Sequence, residues 1–223
     1  VGGVWESCRE DCLVGGDVLE EGGTGRDRKG RGIMRIEPVK VKDKLGRDVI
    51  LRSAEEEDAG DLIRFMKVAA GETEFLIREP EEFQMSLEEE RRFVRSCMDD
   101  PGALMILGVV DNCHVGNCSV MGLGPYRRYG HRCQMAVALY REYWGAGIGK
   151  LMMETALSAA EAMGYEQAEL EVVSHNTGAV RLYQKLGFRE YGCFPRNMKY
   201  RDGRYADACW MMKRLGAEGA GER

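Results

Sequence analysis

The chain has 223 residues, 44% of them hydrophobic and 31% charged, with a formal net charge of -5. That length buries one substantial core with little left for a second, and the acidic balance lacks the cationic excess with which a dedicated nucleic-acid binder displaces counterions, so no nucleic-acid partner is expected. No apolar run reaches the roughly 18 residues of a membrane span and the N-terminus has no apolar core after its charges, so no membrane partner is expected and a cytoplasmic location is.

Residues 1–32 carry nine glycines and twelve charges without periodicity, the composition of a disordered tail or an expression remnant, and 216–223 should fray. A single domain is expected over 33–215. It opens with a short strand at 48–53 and a helix over about 58–70, closed by Gly71. After Pro80 a second helix starts at Ser86-Leu87-Glu88-Glu89, a capping box in which hydroxyl and carboxylate satisfy each other's orphan N–H groups. It ends near Asp99, before Pro101-Gly102. Three apolar runs follow at 103–110, 115–123 and 134–139, and Asp111-Asn112 between the first two suggests an antiparallel meander. Trp144-Gly145-Ala146-Gly147-Ile148-Gly149-Lys150 then turns the chain into a helix with apolar or small residues at Ile148, Leu151, Met152, Thr155, Ala156 and Ala159, stopped by Gly164. A strand at 167–173 precedes a short helix at 176–186, capped by His175 or Asn176 and closed by Gly187. Two strands at 188–194 and 205–213, joined through Asp202-Gly203, complete an α/β fold. Its central sheet should be mixed, mostly antiparallel and flanked by helices.

Eight cysteines (Cys8, Cys12, Cys97, Cys113, Cys118, Cys133, Cys193, Cys209) form no C-x-x-C pair in a chain large enough to need no staples, so free thiols are expected. His114, His131 and His175 belong to no H-x-x-x-H or H-x-x-E-H pattern, and no metal is expected.

The glycine turn opens directly into a helix, whose first N–H groups have no partner within it and point where an anion can sit. Two familiar phosphate signatures fail there. Walker A needs Gly where Trp144 stands and Ser or Thr where Leu151 stands. The dinucleotide fingerprint needs G-x-G-x-x-G, whereas Gly145, Gly147 and Gly149 are spaced G-x-G-x-G; Glu169 does fall about 20 residues on, as a ribose-binding acid would, so a dinucleotide oxidoreductase stays as a disfavoured alternative.

The turn resembles the R/Q-x-x-G-x-G/A pattern of the GCN5-related N-acetyltransferases at both glycine positions, with Trp144 in place of Arg or Gln. Asn176, Ala179, Leu182-Tyr183 and Leu186-Gly187-Phe188 follow the same family's N-x-x-A-x-x-L-Y-x-x-L-G-F pattern. The resemblance spans about 47–215, and Trp144 with the Asp202–Met212 tail is similar to the branch that acetylates ribosomal proteins and small-molecule amines. It implies an acyl-CoA N-acyltransferase fold that transfers an acetyl group from acetyl-CoA, as co-substrate, to a primary amine by direct attack in a ternary complex.

On that resemblance, the pyrophosphate sits on the backbone of Trp144, Gly145, Ala146, Gly147, Ile148, Gly149 and Lys150. The thioester oxygen lies against backbone at Val137, Ala138 and Leu139, and Asn176, Ala179 and Tyr183 line the pantetheine arm. An amine of pKa near 10.4 is charged at pH 7, and deprotonating it costs roughly 4.6 kcal/mol, so a base is needed. Glu171, in a Leu-Glu-Val context, looks like that base, with His175 and Glu74 in reserve or a water relaying the proton; Tyr183 looks like the acid that protonates the departing thiolate. Each has a plainer reading: Glu171 as a solvated strand-edge charge, Tyr183 as a core aromatic, and Lys150 as a solvated first-turn lysine.

Five Glu against one Arg between Gly71 and Glu82 suit a cationic acceptor or simply a solvated loop. Met211-Met212 is expected to be core or the surface of a homodimer. A non-catalytic acyl-CoA binding or sensing module is the other reading.

Overall fold

In the computed structural model, residues 35–124 and 126–216 are described; the expected tail over 1–32 and the end beyond 216 lie outside them. Eight strands, β1 (Val39–Lys42), β2 (Asp48–Ser53), β3 (Ala103–Val110), β4 (Cys113–Gly122), β5 (Arg132–Leu139), β6 (Gln167–Val173), β7 (Arg189–Lys199) and β8 (Tyr205–Arg214), form one sheet in the order β1-β2-β3-β4-β5-β6-β8-β7. The helices are α1 (Ala59–Glu72), α2 (Leu87–Asp99), α3 (Ile148–Ala162) and α4 (Thr177–Lys185). Every pairing is antiparallel except β5 with β6.

Side chains alternate across the sheet, so one sequence fills two cores. Leu104, Ile106, Cys118, Val120, Cys133, Met135, Val137, Leu170 and Val172 face α3 and α4, whose Ile148, Met152, Met153, Ala156 and Tyr183 join them. Met105, Leu107 and Met121 point the other way, onto Leu62, Phe65, Met66 and Ala69 of α1 and Phe93, Val94 and Cys97 of α2. The capping box of α2 forms as written: Ser86 Oγ accepts from Glu89 N at 3.2 Å and Glu89 Oε2 accepts from Ser86 N at 2.8 Å. Asn176, not His175, caps α4, its Oδ1 accepting from Ala179 N at 3.2 Å. Among the described residues no helix is long and apolar enough to cross a membrane.

Three expectations need correction. β1 was not foreseen: its Val-Lys-Val-Lys alternation is only four residues long, and Lys40 and Lys42 hold it by reaching Asp48 on β2 at 2.8 and 2.9 Å. The apolar face of α3 runs through Met152 and Met153, with Leu151 and Thr155 only half-buried at its rim. Free thiols fail at one pair, because Cys193 on β7 stands opposite Cys209 on β8 and the two are joined as a disulfide. Sixteen residues separate them in sequence, and only cross-strand register brings their Cα atoms to 4.2 Å. Cys97, Cys113, Cys118 and Cys133 form no disulfide among the described residues.

Candidate functional site

The parallel strands β5 and β6 pair over three rungs only, Arg132 with Gln167, Cys133 with Ala168 and Gln134 with Glu169, after which they part. Glu169 clamps the last rung: it is buried, takes Arg132 Nε and Nη2 (the latter at 2.7 Å) and accepts from Gln167 Nε2 at 2.7 Å. Burial pushes its carboxyl up, but Arg132 and Gln167 outweigh that and hold it below the usual carboxylate range. A carboxylate so engaged is a structural clamp rather than a ribose ligand.

Beyond the clamp, β5 stays bonded to β4 on one side only. Tyr140 N donates to Val115 O at 3.0 Å, and the antiparallel alternation therefore turns the amides of Val137 and Leu139 into the split, while Ala138 bonds toward β4. Trp144, 45% exposed, donates Nε1 to Leu139 O at 2.9 Å, so the indole closes the strand end.

The glycine turn follows at the same end. Gly145 and Gly147 have φ of +75° and +89°, the left-handed region that glycine enters without strain. Leu151 N and Lys150 N both turn back to Gly147 O, and the N–H groups of Gly147, Ile148 and Gly149 take no partner among the described residues. Ile148 is fully buried and Gly149 packs against Leu139 and Leu182, which fixes this cradle against both β5 and α4. Ala146 is buried and its carbonyl accepts from Lys44 N at 2.9 Å. Lys150 Nζ pairs with Glu154 at 2.8 Å, so its charge is engaged along the helix rather than over the cradle.

Tyr183 is 1% exposed on the α3/α4 face, its ring edge-on to Phe188 with centroids 5.9 Å apart. Burial, helped by Cys118, raises its phenol above the ordinary value and keeps it protonated at neutral pH. Glu171 projects from the opposite face of β6, half-buried, and accepts from Asn197 Nδ2 at 2.7 Å. The two named catalytic residues thus lie on opposite faces of the strand, and the split is the passage between them.

His175 and Glu74, named separately from sequence, meet: His175 Nε2 lies 3.0 Å from Glu74 Oε1. Arg204 Nη2 reaches the other Glu74 oxygen at 3.1 Å, and Tyr200 donates to Glu74 O at 3.2 Å. Arg204, and then His175, hold the Glu74 carboxyl below its usual range. Arg201 takes Glu79 and, at 2.7 Å, Glu81, while Arg141 N donates to Glu72 at 2.8 Å. The carboxylates of the acidic loop after α1 are thereby engaged by Arg201 and Arg204 of the segment joining β7 to β8, so its composition alone does not argue for a cationic acceptor.

The acetyltransferase (GNAT) family model matches residues 70–188, a stretch that takes in the split, the glycine turn and Asn176 to Phe188. The chain belongs to the GNAT family. Among relatives, it is 28% identical over 90 residues to the putative phosphinothricin acetyltransferase YwnH of Bacillus subtilis, covering 40% of this chain and 52% of that one. The chain spans between about a third and about half of the lengths of the curated relatives it matches. A GNAT acetyltransferase of Streptococcus pneumoniae superposes with a TM-score of 0.72 at 26% identity, covering 75% of this chain and 99% of that one. The Salmonella typhimurium putative acetyltransferase yncA, solved with its cofactor acetyl-CoA, superposes at 0.68 with 16% identity over 78% and 98%.

For a GNAT chain, the sequence patterns located the turn and α4 but not what surrounds them. Asn197, Tyr200 and Arg204 come from the β7–β8 hairpin, and Lys44 from the β1–β2 turn; each meets its partner across 26 to 130 residues. Only the pairing of strands could have placed them.

Proposed function

We propose that the chain is an N-acetyltransferase that moves an acetyl group from acetyl-CoA to a primary amine by direct attack in a ternary complex. The observation that carries this reading is the split between β5 and β6, with a cradle of unpartnered N–H groups at its mouth and proton-handling side chains on both faces. Bound acetyl-CoA supplies an activated acyl carbon and a thiolate leaving group. The N–H groups of Gly147, Ile148 and Gly149 bind its pyrophosphate at the N-terminus of α3. The amides of Val137 and Leu139 offer donors within the split for the thioester oxygen. Tyr183, a phenol that burial makes a weaker acid, gives the sulfur a hydrogen bond from the α3/α4 face and its proton as the thiolate departs.

The amine approaches from the face that carries Glu171. Asn117, Ser119 and Gln134 are also buried on that face, and Asn117 Nδ2 has no hydrogen-bond partner there, which suits an acceptor with a hydrogen-bonding group beside its amine. A small amine is favoured by the name of the YwnH relative. Glu171 takes the amine proton. The Glu74–His175 hydrogen bond favours a second reading of this step, in which Nε2 donates to Glu74 and the lone pair of His175 Nδ1 is the base.

The test is release of CoA thiol in the presence of polyamines, amino acids, aminoglycosides and N-terminal peptides. Amine-dependent release is expected, with Tyr183→Phe slower by about 10² or more. Acetyl-CoA binding without release under any amine would leave a sensing module instead, and NADH binding without CoA binding would overturn the reading. Between bases, Glu171→Gln should lower kcat by about 10² or more with acetyl-CoA binding unchanged; if His175→Gln does so and Glu171→Gln does not, the histidine is the base.

A further inference from the structure

The turn between β1 and β2 is built to hold one lysine against the phosphate cradle. Asp43, whose side chain is fully buried, accepts from Leu45 N and Arg47 N at 2.9 Å each and from Arg47 Nε at 2.7 Å. The Arg47 guanidinium in turn lies 5.1 Å over the ring of Tyr143, just before the glycine turn. Between these anchors, Lys44 donates its backbone N–H to Ala146 O at 2.9 Å. Its stem lies across Gly147: a Cβ there would meet Lys44 Cγ, Cε and Cδ at 3.2, 3.3 and 3.5 Å. The ammonium ends 3.5 Å from Gly145 O, exposed, and no carboxylate pairs with it among the described residues.

We propose that Lys44 is a ligand to the pyrophosphate of the acyl-CoA donor, gripping from the β1–β2 turn the same group that the N–H groups of α3 bind from below. The inference rests on the acetyl-CoA reading above. Lys150, the lysine inside the turn, pairs with Glu154, whereas Lys44 lies beside Gly145 and Gly147 with no carboxylate partner among the described residues. An ammonium on a flexible stem suits a phosphate as a point charge. The backbone bond from Lys44 N to Ala146 O and the Asp43 anchors remain when the charge alone is removed, so Lys44→Gln keeps the turn docked.

Calorimetric titration of the full chain with acetyl-CoA and with acetyl-dephospho-CoA, at low and high salt, tests this. Lys44→Gln should weaken acetyl-CoA roughly 5- to 30-fold, the range between an exposed ion pair and a charge-assisted hydrogen bond, with a shallower salt dependence than the unaltered chain. Lys44→Arg should restore most of the affinity, and unchanged thermal unfolding of both variants checks the fold. The Lys44→Gln deficit should be the same for the dephospho compound, which keeps the pyrophosphate; a deficit that vanishes there means a contact to the 3′-phosphate and overturns the assignment. Equal binding by Lys44→Gln and the unaltered chain overturns it outright. Failure of the unaltered chain to bind acetyl-CoA would instead remove the donor reading on which it stands.

Discussion

Burial keeps both Tyr183 and His114 neutral, but from opposite directions: it raises the phenol and lowers the imidazole. His114 packs against Phe65 with centroids 5.0 Å apart and the rings tilted by 49°, bonds to Gly116 O at 3.0 Å through Nε2, and leaves Nδ1 buried without a partner. Burial brings its pKa from 6.5 to about 4, against the Gly116 carbonyl and nearby Asp58, which raise it, and with Arg52 and Arg64, which lower it. Between pH 6.5 and 4 the unfolded chain therefore binds more protons than the folded one, and stability falls as pH falls through that window. The limit for a pKa brought from 6.5 to about 4 is roughly 3.4 kcal/mol, and partial exposure brings it to about 2 kcal/mol. Denaturant unfolding at pH 7.5 and pH 4 measures it. His114→Gln should lose about that much less on acidification than the unaltered chain, and an identical loss in both would show that another group drives the acid limb.

At the scale of elements, the two left-handed glycines of the turn do unequal work. A side chain at either is strained by about 1–2 kcal/mol for the left-handed backbone. At Gly145 nothing lies within 4 Å of an added Cβ, whereas at Gly147 it meets the Lys44 stem at 3.2 Å. Thermal unfolding should therefore show Gly145→Ala costing about 1 kcal/mol and Gly147→Ala more, with only the latter partly relieved by Lys44→Ala. If the two glycine variants are equal, the docking of the β1–β2 turn adds nothing. Elements like these were legible where their determinants are local. Ser86 and Glu89 write a helix start within four residues, Gln167–Val173 alternates clearly, and Gly164 and Gly187, with φ of +78° and +88°, stop their helices as their positions imply. What was not legible depends on register. The disulfide needs β7 and β8 paired, β1 needs Asp48 as its counter-charge, and Lys44 needs a turn about a hundred residues from the one it touches.

At the scale of the molecule, β5 and β6 diverge inside the sheet, and that opening joins its two faces. Strands β5 and β6 and the turn were legible in the sequence but the divergence was not, because nothing in Met135 to Leu139 says that its far edge has no neighbour; the clamp of Glu169 on Arg132 at the last rung becomes visible only in three dimensions. Open backbone of this kind has a direct readout. The amides of Ala136 and Ala138 bond to β4, while those of Val137 and Leu139 face the split. In hydrogen exchange without donor, Val137 and Leu139 should exchange markedly faster than Ala136 and Ala138, although all four lie in one strand. Acetyl-CoA should then slow Val137 and Leu139 together with Gly147, Ile148 and Gly149, and leave Cys133, below the fork, unchanged. Uniform protection along β5 before donor is added would mean that the strands close in solution and the passage between the faces does not exist. Slowing at Gly147 to Gly149 alone would confine the donor to the cradle, outside the split, and separate phosphate binding from a geometry that can deliver an acyl group to Glu171's face.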